Sequence, residues 1–286
     1  MNDINQRQNT FESLSLLKLQ RYKYNQVSKW EVTQFLLAVV VPVIISIIEL
    51  FNIPTKMIVF LNFLGVLGIV VLFISEYFTK KCKTYAAQVQ YIFDTRIYGM
   101  KQNKLISKLV VDELLVESKN DKIQNITGVE NWYSIEDNLE LNNAIFSCQK
   151  QNIYWDTKLR KLYRKILIYI CSIALLTIVL IPIFKDLLFN VWMYCLLFIA
   201  GNIGYFLKYF GSINENLKEQ NELMNVINEY QSKTKLSLKE LQDLEEKIYY
   251  YRTNLVKIPN WIYNITKKKM QEEADYRAKL ESEKYK

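Results

Sequence analysis

The sequence contains no histidine, the side chain that most often serves as a general base near neutral pH and as a metal ligand. Seven glycines and four prolines leave few tight turns, and none forms a phosphate-cradling loop or a nucleophile elbow. No acidic cluster has metal-ligand spacing. No catalytic residue, metal centre or resident cofactor is therefore expected, and any nucleotide would have to be recognised by side chains rather than by a glycine-rich backbone. The four cysteines, Cys82, Cys148, Cys171 and Cys195, lack paired spacing and are expected to be thiols, not a disulfide framework.

Charge is also missing over long distances. Residues 30–51, 57–78, 166–184 and 191–210 are each long and apolar enough to cross a bilayer as helices, a task that takes roughly 20 apolar residues. Between Phe35 and Ile48 the only polar side chain is Ser46, so no polar face faces water. Mean hydropathy is close to zero only because this greasy part is averaged with a highly charged one. The expected fold is an all-α membrane protein, with four transmembrane helices as two hairpins and long cytoplasmic helical extensions. Short links at 52–56 and 185–190 make each pair antiparallel, so both termini lie on one side. The excess of 37 basic over 29 acidic residues falls almost wholly on that side, which the positive-inside bias makes cytoplasmic. Residues 1–29 are polar and mixed in charge, unlike a cleaved signal peptide.

The expected segments are a cytoplasmic N-terminal helix at 1–29, hairpins at 30–78 and 166–210, a cytoplasmic helical hairpin at 79–165 and a C-terminal helical region at 211–286. Apolar spacing predicts that the second span continues as one helix to Gly99, that a helix covers 105–117, and that a helix from about Leu141 feeds the third span. Residues 118–134 are expected to be a loop. After the fourth span, Ile213, Leu217, Met224 and Ile227 predict an exposed, polar-rich helix. Ser237 and Glu240 form a capping box ahead of an apolar seam, Leu241, Leu244, Ile248, Tyr251 and Leu255, expected to pack within the chain more readily than as a free coiled coil. The charged tail beyond Pro259 is expected to be a solvated helix.

Within the spans, Asn62 and Asn202 suit interhelical hydrogen bonding or a pore lining, and Pro42 and Pro182 suit kinks, structural or gating. No mid-membrane carboxylate is present, which disfavours an ion-coupled carrier. Basic and aromatic residues cluster just outside the spans. One cluster holds Arg21 and Tyr24; the other holds Trp155, Asp156, Arg160, Tyr163 and Arg164. These fit headgroup binding and snorkelling, or a pocket in which arginine holds phosphate and an aromatic ring stacks a base.

Four pieces resemble the four-transmembrane effectors associated with SMODS nucleotidyltransferases and SLOG domains in bacterial antiphage systems. They are Arg7-Gln-Asn9 with Leu16-Leu17 and Gln20-Arg21; Val89-Gln90 with Phe93-Asp94; Asn131-Trp-Tyr133; and Cys148-Gln149, Asn152, Trp155-Asp156, Leu159-Arg160 and Tyr163. The resemblance covers residues 1 to about 165. It implies an effector of the bacterial inner membrane, activated by a cyclic oligonucleotide, working with a nucleotidyltransferase, and damaging that membrane as a homo-oligomeric pore. It also adds Trp132, Tyr133, Gln149 and Asn152 to the candidate ligand residues. DNA or RNA polymers are not expected partners; the lipid bilayer is. Two other classes remain open: a membrane scaffold using the Leu241 to Leu255 seam, and a constitutive channel.

Overall fold

The computed structural model describes residues 2–41, 44, 54–106, 109–185, 189–233 and 235–284, with their side chains except at 55, 58, 61, 62, 65, 174, 175, 177–203, 281, 282 and 284. Among the described residues there are helices and connecting turns and no strand. Helix α1 (Ile4–Gln8) leads into α2 (Phe11–Phe35), which is capped by Thr10 accepting from the Ser13 amide and ends in a π-helical turn, Leu36–Val40. Helix α3 (Thr55–Tyr98) runs 44 residues, about 66 Å at 1.5 Å per residue. It stops where Gly99 adopts φ +70°, turning the amides of Gly99 and Met100 back onto the Arg96 and Thr95 carbonyls. A Cβ there would lie 2.9 Å from Arg7 Nη1. Short helices α4 (Val111–Ser118) and α5 (Asp121–Gln124) precede two long ones, α6 (Leu141–Lys185) and α7 (Phe189–Gln231). The chain closes with α8 (Leu238–Asn254) and α9 (Asn260–Lys284).

The main core joins segments far apart in sequence. Leu16, Leu17 and Leu19 of α2 cluster with Val89, Ile92, Phe93 and Ile97 of α3, while Leu241, Leu244, Ile248 and Tyr251 bring in α8. Ala144, Ile145 and Cys148 add α6, and Leu223 and Ile227 add α7. Each such aliphatic side chain stabilises the fold by at most roughly 1.5–3 kcal/mol, since the unfolded chain already hides part of its apolar surface. The seam of α8 is thus consumed within the chain, behind the capping box of Ser237 and Glu240. A smaller cluster of Tyr163, Leu167, Ile213, Leu217, Val256, Ile258 and Ile262 lies next to the apolar stretches.

Four sequence expectations are corrected. Residues 79–165 do not form a hairpin of their own, because α3 packs mainly against α2 and α8. No helix starts at Leu105: Asn103 Oδ1 accepts the Leu105 amide and its carbonyl accepts the Ile106 amide, so the side chain stabilises a turn, and α4 begins at Val111. The stretch after residue 210 continues α7 and is exposed on one side only, since Ile213, Leu217 and Ile227 are buried. Helix α9 is solvated along its charge blocks but is not a free tail, because Ile262, Met270, Ala274 and Ala278 are buried. Among the described residues no helix is long and apolar enough to cross a membrane; residues 42, 43 and 45–51 lie outside them, as do most side chains of residues 174–203.

Candidate ligand-binding site

The main core opens into a cavity of about 730 Å³, walled by α2, α3, the 128–133 loop, α6, α8 and α9. That volume lies within the ordinary range for small-molecule sites, about 300–1,000 Å³. The loop is suspended from α1 by two reciprocal pairs. Asn9 Nδ2 donates to Asn131 Oδ1 (2.8 Å) while the Asn131 amide donates to Asn9 Oδ1 (3.0 Å). The Tyr133 amide donates to Gln8 Oε1 (2.8 Å), and Gln8 Nε2 donates back to the Tyr133 carbonyl (3.1 Å). This anchoring holds Asn131 at φ 49° and presents Trp132 to the cavity. Arg21 stands 5.9 Å from the Trp132 ring centroid, its Nη1 donating to the Thr127 and Gly128 carbonyls.

The floor is a buried polar network. Tyr133 Oη donates to Asp94 Oδ1 (2.6 Å) and accepts from Asn152 Nδ2, and Arg252 Nη1 donates to Asp94 Oδ2 (2.7 Å) and Glu245 Oε1 (3.4 Å). Burial, then the neighbouring Asp94, pushes the Glu245 carboxyl up to about 8. Burial opposes the charge on Arg252, but Asp94 and Glu245 outweigh it and keep the guanidinium protonated. Burial, then Asp94, also raises Tyr133 and keeps its hydroxyl a neutral donor.

A second network braces one wall. Arg160 donates to both Asp156 oxygens (2.7 and 3.2 Å), to Tyr251 Oη (3.1 Å), to the Val256 carbonyl (2.7 Å) and to Asn216 Oδ1 (3.4 Å). Asp156 also accepts from Tyr251 and Gln220. Every nitrogen of Arg160 is therefore engaged, and its burial at 2% exposure makes it a brace.

Lys83 and Lys257 differ from these paired groups. Both line the cavity, and burial lowers both pKa values, which the Glu31 carboxylate only partly offsets. Neither makes a salt bridge among the described residues, and Lys257 Nζ lies 5.7 Å from the Tyr24 ring centroid. Burial, the largest effect, pushes the Tyr24 hydroxyl up to about 12. With Arg21 and Lys267, these lysines give the wall four cations not tied to a carboxylate by a salt bridge, beside the rings of Tyr24, Trp132, Trp155 and Tyr263. Such a lining can hold phosphate by charge and a planar ring by stacking.

Of the residues expected from sequence, Arg21, Tyr24, Trp132, Tyr133, Asn152, Trp155, Asp156 and Arg160 line this one cavity. Three do not. Gln149 sits behind the floor, donating to the Leu241 carbonyl and Glu245. Tyr163 belongs to the smaller cluster and packs edge-on against Tyr209. Arg164 is exposed and rests on Phe210, 5.8 Å from its ring centroid. Pro42, with the side chains of Asn62, Pro182 and Asn202, lies outside the described residues. Lys83, Arg252, Lys257, Tyr263 and Lys267 were missed. Glu245 and Arg252 carried a signal, two opposite charges on the apolar seam seven residues apart, a spacing that keeps both on the buried face. No group of His, Cys, Asp or Glu is arranged for a metal ion among the described residues.

Comparison with known proteins gives two matches. A family model described as the SMODS-associating 4TM effector domain matches residues 2–280. The chain is also similar to a probable CBASS effector molecule of Bacillus cereus (strain VD146), 20% identical over 288 residues, which covers 93% of this chain and 94% of that protein. No solved structure matches.

Proposed function

The chain belongs to the SMODS-associating 4TM effector family, and from that premise we propose that it is a membrane effector of CBASS-type antiphage defence, switched on by a cyclic oligonucleotide. The single observation that carries the reading is the cavity, where cations without a salt bridge stand beside aromatic rings. Cyclic oligonucleotides present several phosphates and several bases in one compact ligand, and this lining offers a complement to each. A functionally linked nucleotidyltransferase would supply that ligand.

The membrane part of the reading is supported by exposed apolar surface. On α3 alone, Val59, Phe60, Phe63, Val66, Ile69, Val70 and Phe73 are each more than half exposed, a continuous band that water disfavours and lipid accepts. The four spans would pass through the inner membrane with both termini cytoplasmic. Ligand in the cavity touches α2 near Asn25, α3 at Lys83 and α6 up to Arg160, in the segments that lead into the apolar stretches, so its binding shifts the helices that enter the bilayer. Several subunits then assemble a pore. The scaffold alternative loses its support, because the α8 seam is buried in the chain's own core.

Calorimetry of the purified protein against cyclic di- and trinucleotides tests the ligand half. At least one should bind, and Arg21→Gln and Lys257→Gln should each weaken it. Failure of every cyclic oligonucleotide to bind folded protein would refute the reading.

A further inference from the structure

Helix α9 turns one side toward the cavity and the core and leaves another stripe outside. Asn260, Asn264, Lys267 and Gln271, at three- and four-residue spacing, line the cavity. Ile262, Met270, Ala274 and Ala278 face the protein and are buried. On the remaining stripe Trp261 is 51% and Ile265 73% exposed, followed by exposed Lys268 and Lys269. Nothing in the chain's own core requires two large apolar side chains there.

The register of α9 against α6 places that stripe. Glu273 pairs with Lys158, and the Arg277 guanidinium lies 3.7 Å from the Tyr154 ring centroid, so the two helices run antiparallel. Counting back along both from these contacts brings residues 261–265 level with residues 166–170, the start of the third apolar stretch. The placement of Ile262 in one cluster with Tyr163 and Leu167 agrees. At that level Ile168, Tyr169 and Ile170 are themselves exposed, so the apolar surface of α9 continues theirs. Charge follows the same axis. Lys267, Lys268 and Lys269 come first, and Glu272, Glu273 and Asp275 lie farther from the apolar level. A negatively charged lipid surface attracts the first group and repels the second.

We propose that the Trp261, Ile265, Lys268 and Lys269 surface of α9 lies in the headgroup layer of an anionic membrane leaflet. The inference rests on the membrane reading above and extends it: the helix that walls the ligand cavity is also held by lipid. Trp261, level with residue 170, reaches the upper acyl part of that layer, Ile265 stands at its polar border, and the lysines meet lipid phosphates. A ligand touching Tyr263, Asn264 and Lys267 therefore pulls on a helix whose other side is anchored in the bilayer.

The test uses the full chain in vesicles carrying bromine on the upper acyl chains, with anionic phosphatidylglycerol or with phosphatidylcholine alone, and compares wild type with Trp261→Phe. The part of the tryptophan emission removed by Trp261→Phe should be bromine-quenched, more strongly in anionic vesicles. Removing Lys268 and Lys269 as glutamines should lower that contact equilibrium roughly fivefold per lysine. Quenching within the remaining emission, which Trp30, Trp132, Trp155 and Trp192 share, with none from Trp261 would overturn the inference and leave the membrane reading standing. Quenching of no tryptophan at all would overturn both.

Discussion

Replacing Arg160 by methionine removes a guanidinium that is 2% exposed and joins α6 to the α8–α9 linker through the Val256 carbonyl, to α8 through Tyr251 and to α7 through Asn216. Breaking one side of a buried ion pair costs roughly 3–5 kcal/mol, because the remaining charge is left uncompensated. Here Asp156 keeps 25% side-chain exposure and two donors, Tyr251 and Gln220, so the lower end applies, about 3 kcal/mol. For a chain of this size that corresponds to a Tm lowered by roughly 6–12 °C. The assay is thermal unfolding of purified protein followed by helical circular dichroism, beside Arg21→Gln and Arg164→Gln. Those two should leave Tm nearly unchanged, since Arg21 bonds only loop carbonyls and Arg164 is exposed. Adding Asp156→Asn to Arg160→Met should recover part of the loss, because it removes the stranded carboxylate. An Arg160→Met protein with wild-type Tm but no ligand binding would refute the bracing role and make Arg160 a ligand contact.

Further outcomes follow from the same geometry. Glu245 is pushed up to about 8 from an ordinary 4.5, so the folded state holds its proton more tightly than the unfolded chain. Its stabilising contribution is complete below 4.5 and is lost as pH rises through about 8; Tm should fall over that window, and Glu245→Gln should flatten the fall. Gly99→Ala must place a Cβ at φ +70° against Arg7 and should cost about 1–3 kcal/mol in a denaturant titration. Trp132→Ala removes a stacking surface and should weaken nucleotide binding by about 1–3 kcal/mol, roughly 5- to 150-fold by calorimetry, with helical content preserved.

The motif residues legible in the sequence turn out to be one another's partners. Asn9 pairs with Asn131, Gln8 with Tyr133, Gln20 with Gln90, and Asp94 with Tyr133, so those scattered pieces are the hangers of a single loop and floor. The continuous helix from Thr55 to Tyr98 was legible because nothing interrupts its period before Gly99. Periodicity reveals which face of a helix is buried but not what it meets. For that reason the α8 seam was visible while its charged pair with Asp94 was not. The α9 wall was hidden for a related reason: its buried stripe uses Ala274 and Ala278, whose small side chains are drowned by the surrounding charge blocks. At Leu105 an apolar spacing lost to a local competitor, the Asn103 side chain.

The most direct test of the central claim is dye release from vesicles into which the purified protein has been inserted. Without ligand the vesicles should stay sealed. A cyclic oligonucleotide that binds the cavity should release the dye, and Arg21→Gln should abolish release at that ligand concentration while leaving insertion and Tm intact. Release that ignores ligand, or sealed vesicles despite saturating bound ligand, would contradict the account.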